Sequence, residues 1–188
     1  MSRRFVWLVT LSLGGGALGC SDPVPAAAAV GLRLNLTQSA SCAANNALND
    51  DIGNPPPDKD RLSSDPKKGR PVFDGEGGLR ARCSVSGSGP FTISANVNSG
   101  SVSFGITQGT MSAMGAGSGL MSFSSAAIGT SISSSVPCSL TAVPTSEGPG
   151  VKPGAVWATF SCSNLTQSSS PNINCSANGE ILLENCEQ

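Results

Sequence analysis

The chain has 188 residues, 11 Lys and Arg against 12 Asp and Glu, and neither His nor Tyr. A balance this even leaves no basic face for nucleic acid. A chain without His also lacks the commonest general base and the commonest transition-metal ligand. Nothing in the sequence implies a cofactor.

The first twenty residues have the layout of a secretory signal. Arg3 and Arg4 precede the short apolar stretch Phe5 to Leu13. Gly14, Gly15 and Gly16 follow, and then Ala17-Leu18-Gly19-Cys20. This segment resembles the lipobox of bacterial lipoproteins, with Ala17 where Leu is usual. The resemblance covers residues 1–20 alone. It implies a signal peptide over 1–19, diacylglycerol on the Cys20 thiol, and an acylated (palmitate-type) amine at the new N-terminus. Ser21 after the cysteine implies sorting to the outer membrane. The apolar stretch is too short to cross a bilayer as a helix, which takes roughly 20 residues. Attachment is therefore expected through acyl chains, and more than one chain is needed for a stable anchor. Removing Arg3 and Arg4 with the signal leaves 9 basic against 12 acidic residues in a mature chain of 169.

Residues 20–29 read as the lipidated Cys and a tether, with Pro23, Pro25 and four alanines, and residues 30–188 as one domain. Val30, Leu32, Leu34 and Leu36 alternate with polar or small residues, the period of a half-buried strand. Residues 43–78 carry mixed charge, the run Pro55-Pro56-Pro57 and few large apolar side chains. They read as one long surface loop pinned at Val72 and Phe73. Short alternating runs follow: Leu79 to Val85, Phe91 to Val97 and Val102 to Ile106, separated by Gly-rich turns in the manner of a meander. Gly115 to Gly119 reads as a flexible turn, Leu120 to Ser125 as a strand, and Ala127 to Ser133 as a weaker one. Val136 to Ala142 and Val156 to Cys162 alternate again. Ile173 to Ala177 and Glu180 to Cys186 read as a terminal hairpin around an Asn178-Gly179 turn. With no helical pattern after residue 20, the fold class is all-β: an antiparallel β-sandwich or jelly roll with one long charged loop.

With Cys20 assigned to lipid, six cysteines remain: Cys42, Cys83, Cys138, Cys162, Cys175 and Cys186. An exported chain holds such cysteines as disulfides, and six allow 15 pairings. The absence of any C-x-x-C pair speaks against zinc. Cys162 and Cys175 flank a polar hairpin tip at Gln167 to Ser170. Cys138 and Cys162 are symmetric about Pro149-Gly150 and compete for the same partner. Cys42 and Cys83 bracket the charged loop. The preferred set is 42–83, 138–186 and 162–175.

Residues 83–146 contain no charged side chain at all. A β-domain solubilised by hydroxyls and amides explains this, and so does a neutral surface suited to a glycan or a partner protein. Trp157, the only Trp after the signal, faces opposite to Val156, Ala158 and Phe160. It therefore packs in a second interface or forms an exposed platform for a sugar. Ser64-Asp65-Pro66-Lys67 matches the bare S-x-x-K pattern but sits in the charged loop beside a Pro. Asp50, Asp51, Asp58 and Asp60 could hold calcium, although their spacing fits no EF-hand. Glu180 and Glu184 lie on the last strand at even spacing and so share a face, which reads as a solvated face or as a carboxylate pair for a hydrolase. The sequence thus leads to a lipid-anchored cell-envelope protein with a non-catalytic binding or structural β-domain. The alternatives are a carbohydrate- or matrix-binding module using Trp157 and, behind it, a carboxylate hydrolase.

Overall fold

The computed structural model describes residues 26–37, 48–53, 71–126, 129–144, 148, 150–167 and 170–188. Residues 1–19, Cys20, Cys42, Ser64, Lys67, Asp58 and Asp60 lie outside them. Among the described residues there are twelve strands, one 3-10 turn at Glu76–Gly78 and no α-helix. The strands are β1 (Ala29–Thr37), β2 (Leu48–Ile52), β3 (Val72–Phe73), β4 (Arg80–Gly87), β5 (Phe91–Asn98) and β6 (Val102–Met111). They continue with β7 (Ala116–Ser125), β8 (Thr130–Ser134), β9 (Cys138–Ala142), β10 (Val151–Lys152), β11 (Ala155–Gln167) and β12 (Ser170–Glu184).

They form one antiparallel sheet in the order β2-β1-β12-β11-β8-β7-β6-β5-β4, with β9 bridging β11 and β7. The sheet curls back on itself in a sandwich-like, disulfide-stabilised β fold. Its last strand, β4, meets the chain just beyond β12 through a parallel bridge between Ser84 and Glu187. Val85 N–H donates to the Glu187 carbonyl at 2.8 Å, and Glu187 N–H donates to the Cys83 carbonyl at 3.0 Å. The C-terminal residues thus occupy part of an edge that would otherwise offer unpaired backbone groups.

Period-two alternation sends one face of each strand inward. Val30, Leu32, Leu34 and Leu36 of β1 are buried, as are Ala81, Cys83 and Val85 of β4, and Phe91, Ile93, Ala95 and Val97 of β5. Phe104, Phe123 and Phe160 meet at the centre, with ring centroids 5.5 and 5.6 Å apart. That spacing suits aromatic pairs. Apolar area leaving water on both inner faces is the main stabilising term.

Three local readings of the sequence are corrected. Residues 43–78 are not wholly loop: Leu48–Ile52 pairs with β1, Asp51 opposite Arg33 and Ile52 opposite Leu32. An edge strand bonded on one side tolerates the carboxylates that make this stretch look like loop, and Ile52 is its buried contribution. Ala116 to Gly119 is strand rather than flexible turn. A Cβ at Gly117 would come within 2.2 Å of the Thr110 carbonyl oxygen, so the glycine serves a close approach between β6 and β7. Asn178-Gly179 makes no turn. It lies inside the 15-residue β12, with Asn178 opposite Asn35 on one side and Ser161 on the other. Gly179 is there because the Phe160 ring covers it: a Cβ would stand 2.7 Å from Phe160 Cζ and 1.9 Å from the Arg33 carbonyl oxygen. Bonding on both flanks overrides the local preference of the Asn-Gly pair for a hairpin.

The disulfide map differs from the preferred set. Cys83 is bonded to Cys186 (Cα–Cα 4.9 Å) and Cys138 to Cys162 (Cα–Cα 4.5 Å). None of 42–83, 138–186 and 162–175 is compatible with these bonds. The register explains the second one. β9 and β11 pair with Phe160 opposite Leu140 and Ser161 opposite Ser139, which puts Cys162 opposite Cys138. This is the symmetry about residue 150, and it wins over the symmetry about the β11–β12 tip. In that hairpin a bulge sets Cys162 opposite Ala177 and Leu165 opposite Cys175. Cys175 is itself disulfide-bonded.

Candidate functional site

Trp157 lies on the face of β11 opposite the main core, as its parity requires. It is only 2% exposed, and its indole N–H donates to Glu180 Oε1. The second oxygen of Glu180 accepts from Arg33 Nη1 at 3.5 Å, forming an ion pair. Three strands bring these residues together: Thr159 is opposite Glu180 on β12, Glu180 is opposite Arg33 on β1, and Trp157 stands two positions along from Thr159. Diagonal neighbours on a sheet face reach one another when the side chains are long. A buried indole with its N–H satisfied is a structural anchor and offers no ring face to a sugar. The platform reading of Trp157 is thereby corrected. Its partnership with Glu180 and Arg33 was not legible from the sequence, because it depends on register across residues 23 and 147 positions apart.

Other carboxylates are also engaged locally. Asp74 Oδ1 accepts from Ala81 N–H at 2.8 Å, and Glu76 Oε2 accepts from Phe73 N–H at 3.3 Å. Glu180 and Glu184 are four positions apart on one strand, about 13 Å at ~3.3 Å per residue. That exceeds the roughly 5–9.5 Å that separates the acids of a glycosidase. Asp51 lies exposed on β2, opposite Arg33. Among the described residues no cluster of three or more Cys, Asp or Glu could hold a metal.

What the fold does assemble is an outward face of hydroxyls and amides. One transverse row runs Ser86, Thr92, Thr110, Ser118, Ser139, Ser161, Asn178 and Asn35, each directly opposite the next across eight strands. A second runs Arg82, Asn96, Gly105, Ser122, Ser133 and Thr166. Neighbours within the face bond each other: Ser84 Oγ to Ser94 Oγ at 2.8 Å, and Ser103 Oγ to Ser124 Oγ at 2.6 Å. None of the exposed groups in the first row is charged or aromatic. The exposed residues that segment 83–146 places on β5 to β9 therefore carry no charge, and the charged groups of this outward face, Arg80, Arg82, Arg33 and Glu180, stand on the flanking strands β4, β1 and β12.

Three charged side chains, Asp74, Arg82 and Glu187, meet at the seam where the sheet closes. An open groove of about 450 Å³ is lined by Ala26, Ala28, Asp74, Arg82, Asn185 and Glu187. A second, of about 420 Å³, shares Arg82 and Glu187 and runs toward Ser94, Asn96 and Thr107. Two exposed surfaces of different chemistry therefore stand side by side, one neutral and one bearing both signs.

No family model, no curated protein and no solved structure shows a significant match to the chain.

Proposed function

We propose that the protein is a lipid-anchored component of the bacterial cell envelope, held in the outer membrane through Cys20. Its β-domain then acts as a non-catalytic binding or structural module. The signal and Ala17-Leu18-Gly19-Cys20 support the anchor, and the disulfides suit an oxidising compartment. The observation that carries the binding role is the eight-strand row of outward hydroxyls and amides from Ser86 to Asn35. Such a face offers donors and acceptors to an uncharged, hydrogen-bonding partner such as an envelope glycan or the neutral surface of another envelope protein. It gives a strongly charged polymer nothing to pair with.

Two variants test this. Cys20→Ala should release the protein from the membrane fraction into the soluble one; retention in the membrane contradicts the anchor. Ser139→Lys places a charge in the middle of the neutral row. It should weaken co-sedimentation of the soluble domain with isolated envelope material while leaving the unfolding midpoint unchanged. Undiminished binding by Ser139→Lys would remove that face from the account.

A further inference from the structure

We propose that the seam groove at Ala26, Asp74 and Glu187 is the membrane-facing side of the domain, apposed to the lipid headgroups, and that the ends of β8 and β11 around Ser133 and Ser163 lie away from the bilayer. This rests on the anchor reading above and assigns a partner, a lipid surface, to one of the two exposed faces.

The chain enters the fold at the groove itself, since Ala26 and Ala28 line it. Asn185 Nδ2 donates to the Ala27 carbonyl at 3.0 Å, and Asp74 N–H donates to the Ala28 carbonyl at 2.8 Å. The polypeptide is therefore fixed from Ala27 onward. Six steps separate Cys20 from Ala26, a span of at most about 20 Å even fully extended. The domain is larger than this leash: a chain of about 160 residues has a diameter near 40 Å. The 13 residues of β11 alone cover about 43 Å of strand at ~3.3 Å per residue. The point of attachment must then lie in the half of the domain nearest the bilayer. Asp74, Glu76, Arg82, Glu184 and Glu187 belong to that half, as does Phe73, which is 38% exposed beside the start of β1. Ser163 and Ser133 lie toward the far end of the β11 and β8 ladder, where β11 pairs Thr166 with Ser133. With both signs present at the near end, the apposition is set by the leash and not by attraction to anionic lipid.

The test uses the full, lipidated chain in vesicles carrying a headgroup-linked energy acceptor. A fluorescent non-canonical aromatic residue replaces Phe73 in one preparation and Ser133 in another, with Glu76 and Ser163 as a second pair should either first variant fold poorly. Flotation with the vesicles is scored separately from energy transfer. We expect co-flotation of all variants, with stronger transfer from 73 and 76 than from 133 and 163. Co-flotation with equal transfer, or stronger transfer from 133 and 163, overturns the orientation and leaves the anchor standing. Failure to float overturns the anchor and the orientation with it.

Discussion

Single side chains in this fold are decided by what lies across the ladder from them. Trp157 shows this best. Its parity on β11 was legible, but whether that face was wet or packed was not, because Glu180 and Arg33 arrive from other strands. In a chain that begins at Cys20, Trp157 is the only Trp and reports on itself. Its emission should be blue-shifted and insensitive to iodide in the native protein, become quenchable on unfolding, and stay unchanged on adding polysaccharide. Quenching by iodide in the native state would contradict the buried assignment. Glu180→Ala leaves the indole N–H and the guanidinium without that acceptor. Losing an acceptor for a buried donor is expected to cost about 1–3 kcal/mol, read from the urea midpoint. A change near zero would mean that solvent reaches the site. Gly179→Ala should destabilise by about 1–3 kcal/mol or more, as overpacking does. Replacing Phe160 by Leu in the same chain should not rescue it, because the Arg33 carbonyl oxygen stands even closer than the ring.

At the scale of elements, alternation located most of the sheet. β1, β4, β5, β6, β9 and β11 carry their inward residues where period two puts them, since a one-residue slip would turn every apolar side chain to water. The failures share a cause. β2 reads as loop because an edge strand can keep its charges, Ala116 to Gly119 reads as turn because glycine serves close packing there, and Asn178-Gly179 reads as a turn because its flanking strands are distant in sequence. The cysteines follow the same rule. Cys138 and Cys162 are paired by the β9–β11 register, while Cys83 and Cys186 are paired by closure of the sheet, which no local pattern announces. Breaking the second bond should therefore act at the seam. In Cys186→Ser, the amides of Val85 and Glu187 should exchange with deuterium much faster, whereas those of β6 and β7 should be little changed. Uniform acceleration across the sheet would mean that the bond supports the whole fold and not the closure. Loops of this size are each worth roughly 3–5 kcal/mol in the chain-entropy model, so the variant is expected to remain folded at low temperature.

For the whole molecule, the class is legible in the sequence: short alternating runs, Gly-rich turns and no helical period leave an antiparallel β fold. The division of the surface was legible only in part. The sequence shows a charge-free stretch from 83 to 146, and the fold aligns Thr92, Thr110, Ser118 and Ser139 of that stretch with Ser161 of β11 across strands. The same fold brings Asp74, Arg82 and Glu187, far apart in the chain, to the seam where the polypeptide enters. What we propose is an envelope protein anchored at Cys20, with a neutral surface on β5 to β9 and with Asp74, Arg82 and Glu187 beside the point where the polypeptide enters. It depends first on the state of the cysteines. With Cys20 carrying lipid, parity leaves Cys42 as the partner of Cys175. The most direct measurement is the intact mass of the membrane-extracted protein, followed by a non-reduced peptide map. The account predicts a chain beginning at Cys20 with added acyl mass, no free thiol before reduction, and linked peptides for Cys83 with Cys186, Cys138 with Cys162, and Cys42 with Cys175. A chain without lipid, or one with Cys20 joined to Cys175, would contradict it.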